Sequence, residues 1–172
     1  SDLVSVIELV TIESLMELGT EAELKEEIEN FDLILAGNKT ILEAAEITDH
    51  KCLRETQDKT FLKMFLRYLA RKNKRVYLLV ESEEEGQKMF GHFEEYYRGT
   101  QIVGMAKVSA KNRADDMLIN AINGEEVDCV LSALSSPLQE ELISKNRNVM
   151  NARVWLGLGK DGIPVAAKGI GG

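Results

Sequence analysis

The sequence predicts a single three-layer α/β domain, a mainly parallel, Rossmann-like sheet with helices on both faces. Three observations carry this. Short aliphatic and β-branched runs alternate with longer stretches of helical period along the chain, the pattern of successive βα units. The run Val76 to Val80 (VYLLV) has no polar position, as a strand covered on both faces requires. Only two prolines occur, Pro137 and Pro164, and no Pro/Gly/Ser-rich linker marks a second domain. A chain of 172 residues suffices for one core that buries roughly 70% of its unfolded surface.

Taken in order, Val4 to Val10 is the first strand, followed by a helix whose charged body is Glu21 to Asn30, and Asp32 to Leu35 is the second strand. Thr40 to Ile47 reads as a short helix. Thr60 to Asn73 is an amphipathic helix predicted to turn Phe61, Met64, Phe65, Tyr68 and Leu69 toward the sheet. After Val76 to Val80 comes a helix over Glu83 to Arg98, with Met89, Phe90, Phe93 and Tyr97 inward and the acidic run Glu81 to Glu85 at the positive end of its dipole. Gln101 to Val103 is a short strand, Asn112 to Asn123 a helix stopped by Gly124, and Val127 to Leu131 a strand. Pro137 to Asn146 is a helix with proline in its first turn, and Arg153 to Leu156 the last strand. Ligands of such sheets bind at the carboxyl ends of the strands.

Composition excludes several classes. Lys plus Arg number 21 and Asp plus Glu 29, a net charge of −8 that repels phosphate backbones, so a nucleic-acid partner is not expected. Cys52 and Cys129 lie in unrelated segments with no paired spacing, which predicts neither a disulfide nor a zinc site and fits a reducing, cytoplasmic setting. The start SDLVSVIELV has no basic leader and no apolar run nears the ~18 residues of a membrane span, so neither export nor membrane insertion is expected. His50 and His92 have no partner at ligand spacing, and no metal or other cofactor is predicted. Arg67, Arg71, Lys72, Lys74 and Arg75 form a basic cluster that fits either an anionic contact or simple termination of a helix. Cys129 and Trp155 read as core.

Two segments carry candidate chemistry. Ser135, Ser136, Gln139 and Glu140 stand at a strand-to-helix junction, which suits a diphosphate or a uridine edge. Equally, Ser135 or Ser136 could cap the helix, with Gln139 and Glu140 as ordinary first-turn residues. Gly157-Leu158-Gly159 after the last strand can admit a ligand or turn the chain.

From Asp128 to Glu140 (DCVLSALSSPLQE) and again over Ala152 to Gly159 (ARVWLGLG), the chain resembles the WecG/TagA/CpsF glycosyltransferase family. That family reads there as a strand, a Gly-Leu-Gly-Ser-Pro-Lys-Gln-Glu segment opening a helix, and a strand ending in Gly-Val-Gly; Ser136, Pro137, Gln139, Glu140, Gly157 and Gly159 match. The likeness extends over about residues 10 to 160. It implies the α/β fold, a UDP-N-acetylhexosamine donor of the UDP-N-acetylmannosamine type, and a role in cell-surface polysaccharide or teichoic-acid linkage synthesis. The nucleotide-sugar positions it implies are Thr11, Arg54, Ser135, Ser136, Gln139, Glu140, Gly157 and Gly159, with Thr11 and Arg54 facing the other six across a pocket.

The departures concentrate at the chemistry. The family's Thr-Pro-Asn stands here as Thr11-Ile12-Glu13, and its Pro-Asp-Gly, whose Asp is the proposed general base, as Ala36-Gly37-Asn38. The Arg-Val-Thr-Gly element is Arg54-Glu55-Thr56-Gln57, the Leu-Leu-Gly-Gly turn is Leu78-Leu79-Val80-Glu81, and His-Asp-Gly becomes Ala106-Lys107-Val108. Two glycines of the loop before the Pro-Lys-Gln-Glu helix are Ala133 and Ser135, and the family's basic C-terminal segment has no counterpart before Gly172. No catalytic residue is therefore assigned, with Glu13 and Asp58 the carboxylates nearest to substitute. The expectation is a divergent member that binds a UDP-sugar, or else a catalytically inactive paralogue serving as a binding module that pairs with itself or an active relative.

Overall fold

The computed structural model describes residues 3–19 and 22–160. Within them lies one six-stranded, all-parallel sheet: β1 (Ser5–Val10), β2 (Leu33–Ala36), β3 (Arg75–Val80), β4 (Gln101–Lys107), β5 (Cys129–Ser132) and β6 (Val154–Gly157), in the spatial order β2-β1-β6-β5-β3-β4. All six expected strands are present. Eight helices among the described residues complete three layers: α1 (Ile12–Leu18), α2 (Ala22–Glu29), α3 (Lys39–Ala44), α4 (His50–Gln57), α5 (Thr60–Arg71), α6 (Glu83–Tyr96), α7 (Asp115–Gly124) and α8 (Leu138–Asn146).

Strand alternation divides the core in two. On one face Val6, Tyr77, Leu79, Val130 and Trp155 pack beneath α1, α2, α7 and α8, through Leu18, Leu24, Ile28, Ile122, Leu142 and Ile143. On the other, Leu9, Val76, Leu78, Val80, Leu131 and Leu156 meet Leu62, Leu66 and Leu69 of α5 and Met89 and Phe93 of α6. Cys129 and Trp155 are core residues as expected. No helix among the described residues is long and apolar enough to cross a membrane.

Several elements differ from expectation. The buried stripe of α5 is Leu62, Leu66 and Leu69, while Phe61, Met64 and Tyr68 are 39%, 60% and 46% exposed. Both stripes are apolar, and the sheet takes the leucines. On α6, Met89 and Phe93 are buried but Phe90 faces out. The segment after β1 holds two helices: a Thr11/Ser14 capping box starts α1, and Gly19, at φ +57°, ends it before α2. Helix α4 was not expected, because HKCLRETQ buries none of its residues and so carries no apolar stripe. Strand β4 runs on to Lys107, and α7 starts at Asp115.

Candidate functional site

The carboxyl end of the sheet beneath α8 carries a polar row. Glu8 of β1 and Ser132 of β5 both pair with Gly157 of β6, which lies between them, so three neighbouring strands present Glu8, Gly157 and Ser132 side by side. Gln139, in the first turn of α8, lies across this row. Its Oε1 accepts from Ser132 Oγ at 2.7 Å and from Gly159 N at 3.1 Å, and its Nε2 donates to Glu8 Oε1 at 3.4 Å. A Cβ at Gly157 would stand 3.0 Å from Gln139 Nε2 and 3.1 Å from Glu8 Oε1. Gly157 is thus the space that admits the Gln139 carboxamide, while Gly159, at φ +75°, turns the chain so that its amide meets that carboxamide.

Sequence patterning did not single out Glu8. It is almost wholly buried, as is Glu140 of α8, whose Oε2 accepts from Ser136 Oγ at 2.9 Å. Glu8 Oε2 and Glu140 Oε1 are both buried and meet no donor among the described residues, yet the two carboxyls lie within hydrogen-bonding reach of each other. Two carboxylate anions cannot share such a site, so the pair holds a proton. Burial first, and the neighbouring Glu140 second, push the Glu8 carboxyl up to about 10.

Beside this row a cleft of about 620 Å³ opens at the carboxyl ends of β1 and β6. Thr11, Ser135, Ser136, Gln139 and Gly159 all line it. Arg54 does not: it is exposed on α4 and absent from the cleft lining. Glu140 and Gly157 lie buried behind the wall rather than on it. The serines do not cap α8 either: the helix follows Pro137 and neither hydroxyl accepts from its first amides, while Ser135 Oγ donates to Glu81 and Ser136 Oγ to Glu140.

The opposite wall holds Gly37, Asn38 and Glu13 of the divergent motifs together with Lys59 and Glu17, which the sequence did not single out. Gly37 and Asn38 follow β2, and a Cβ at Gly37 would meet Thr11 Cγ2 at 3.0 Å and Val10 O at 3.1 Å. Lys59, half-buried, donates from Nζ to Gly37 O at 3.0 Å, and burial holds its ammonium pKa below the ordinary lysine value. Glu13 and Glu17 of α1 line the same cleft, whereas Asp58 is exposed at the end of α4 and does not.

Glu81, immediately after β3, reaches the β5–α8 loop. Its Oε2 accepts from both Ser135 N and Ser135 Oγ at 2.6 Å, and Oε1 accepts from Lys160 Nζ at 3.3 Å. Burial alone would raise its carboxyl, but the two Ser135 donors and Lys160 outweigh that and hold it below the ordinary carboxylate range. No group of three or more His, Cys, Asp or Glu among the described residues is arranged to hold a metal ion.

Compared with curated proteins individually, the chain matches none. The model of the glycosyl transferase WecG/TagA/CpsF family matches residues 4–165, from before β1 to beyond the Gly157–Gly159 turn. With that match spanning nearly the whole chain and the parallel sheet it is drawn on, the protein belongs to the WecG/TagA/CpsF glycosyltransferase family, whose work lies in cell-surface polysaccharide synthesis.

Proposed function

We propose that the cleft binds a UDP-N-acetylhexosamine of the UDP-N-acetylmannosamine type, and that this chain does not transfer the sugar. Its volume of about 620 Å³ suits a ligand of that size, and Thr11, Ser135, Ser136, Gln139 and Gly159 bring hydroxyl, amide and backbone groups along it. The observation that carries the second half is at position 37. Transfer to a hydroxyl needs a group that takes its proton, worth typically 10²–10⁴ in rate. Gly37 has no side chain, and its carbonyl is engaged by the Lys59 ammonium. Asn38 is no base, and its Oδ1 caps α3 by accepting from Ile41 N.

Thermal unfolding with UDP and with UDP-N-acetylhexosamines tests binding. Ligand at 100 times its Kd stabilises by about 2.7 kcal/mol, a rise of about 5–10 °C for a chain of this length. No shift with millimolar nucleotide sugar would remove the reading. UDP release in the presence of a lipid-diphosphate N-acetylglucosamine analogue is expected to equal that of heat-killed protein. Release well above it, lost in Glu13→Gln, would overturn the proposal and identify Glu13 as a relocated base. Gly37→Asp is expected to restore little or no activity, because Thr11 and the Val10 carbonyl crowd the new side chain and Lys59 stands ready to pair with its carboxylate.

One observation favours a second reading, an interaction module that pairs with another copy or with an active relative. Phe61, Met64 and Tyr68 form an exposed apolar stripe along α5. Sedimentation of the wild type against a Phe61→Ser/Met64→Ser variant distinguishes a monomer from a pair formed through that stripe.

A further inference from the structure

Doubly wound sheets take ligands where neighbouring strands send their following helices to opposite faces. Among the described elements this sheet does so at three pairs of neighbours, β2/β1, β5/β3 and β3/β4, and the first two border the residues of the cleft. At the first, β1 leads to α1 and α2 on the α8 side, while β2 leads through α3 and α4 to α5 on the other side. The cleft extends to this place, where Thr11 and Gly37 line it. At the second, the neighbours β5 and β3 lead to α8 and α6 on opposite faces. There the backbone amide and hydroxyl of Ser135 already hold an anion, the Glu81 carboxylate, on two bonds of 2.6 Å.

The cations divide in the same way. Two ammonium groups line the cleft. Lys160 is ion-paired with Glu81 at 3.3 Å and with Glu85 at 3.4 Å. Lys59 has no carboxylate within ion-pair distance among the described residues, and its one protein acceptor there is Gly37 O. An ammonium carries three donors, so Lys59 retains two in a half-buried setting where an unpaired charge is costly.

We propose that Lys59 is the anion-binding residue of the cleft and that Glu81 bars anions from the Ser135 amide, so that a ligand's phosphate or diphosphate is taken between β1 and β2 and not at the β5–α8 loop. The inference deepens the nucleotide-sugar reading by naming where the charged part of that ligand lies. In a chain of net charge −8, with Glu13 and Glu17 on the α1 wall, Lys59 is where an oxyanion gains a charge-assisted hydrogen bond without displacing a carboxylate.

The test is calorimetric titration of the full chain with inorganic pyrophosphate, and separately with UDP-N-acetylglucosamine, at low salt. Circular dichroism first confirms that each variant is folded. Lys59→Met is expected to weaken pyrophosphate binding at least about tenfold, as loss of a charge-assisted bond predicts. Lys59→Arg is expected to stay within about threefold of wild type, since it keeps the charge. Glu81→Gln, which keeps an acceptor for Ser135 but removes the charge, is expected to bind pyrophosphate more tightly than wild type. Unchanged affinity in Lys59→Met, weaker binding in Glu81→Gln, or no binding of millimolar pyrophosphate to the wild type would each overturn the inference. Pyrophosphate binding with the expected dependence, but no binding of UDP-N-acetylglucosamine, would uphold it and remove the nucleotide-sugar reading instead.

Discussion

Replacing Glu8 by Gln should abolish a dependence of stability on pH that the wild type carries. Folded, the Glu8 carboxyl is pushed up to about 10 by burial and by Glu140; unfolded, it returns to its ordinary value of 4.5. Its folded pKa is the higher of the two, so the folded state favours the proton. The contribution is whole below about 4.5 and is lost as pH rises toward about 10. Between those limits the native chain holds one proton that the unfolded chain lacks, and unfolding free energy falls by ~1.4 kcal/mol per pH unit. From about pH 6.5 to 8.5 the loss is about 3 kcal/mol, or roughly 5–10 °C in Tm for a chain of this length. Two other groups titrate nearby with the opposite sign. Burial lowers His92, whose stabilising effect grows only as pH rises to its ordinary 6.5, and burial lowers Lys59, whose effect grows toward 10.5. Both are present in the variant too, so subtracting one profile from the other isolates Glu8. Gln keeps the geometry: its oxygen can accept from Gln139 Nε2, and its amide can donate to the open Glu140 Oε1. The assay is urea unfolding of both proteins across that pH range. Parallel profiles, or a wild type that gains stability with pH relative to the variant, would refute the protonated Glu8–Glu140 pair.

Other outcomes follow from the same geometry. Gly157→Ala should destabilise by about 1–3 kcal/mol in urea unfolding, because its methyl would press on the Gln139 carboxamide and Glu8 Oε1. Gly124→Ala is the control: nothing lies within 4 Å of its methyl, and the change should be neutral or stabilising by up to about 1 kcal/mol. Leu79→Asp should leave no soluble folded protein on expression, since Leu79 is fully buried beneath α7 and α8 and its new charge would have no partner in that apolar cluster.

The sequence by itself determined the class and most of the order of elements. An uninterrupted run such as Val76–Val80 is what a strand covered twice requires, and the alternation of such short runs with helical period leaves a parallel sheet as the compact solution. Local signals sufficed there because strand and helix periods are properties of neighbouring residues. Which side of a helix is buried was already beyond them: α5 offers two apolar stripes, and packing against the sheet selects Leu62, Leu66 and Leu69 over Phe61, Met64 and Tyr68. The matched motif residues were legible, but not what they do. Gln139 reads as an ordinary first-turn residue until Gly157 is seen to leave room for it across three strands. Glu8 is not singled out in SVIELV, because nothing in that stretch says that α8 will bring Glu140, 132 residues on, against it. Glu81 and Ser135 lie 54 residues apart and meet because β3 and β5 are neighbours in the sheet; Lys59 reaches Gly37 across 22 residues. These contacts depend on strand order and helix placement, which the whole core decides through the packing of many small apolar contributions, and no spacing within a segment encodes them.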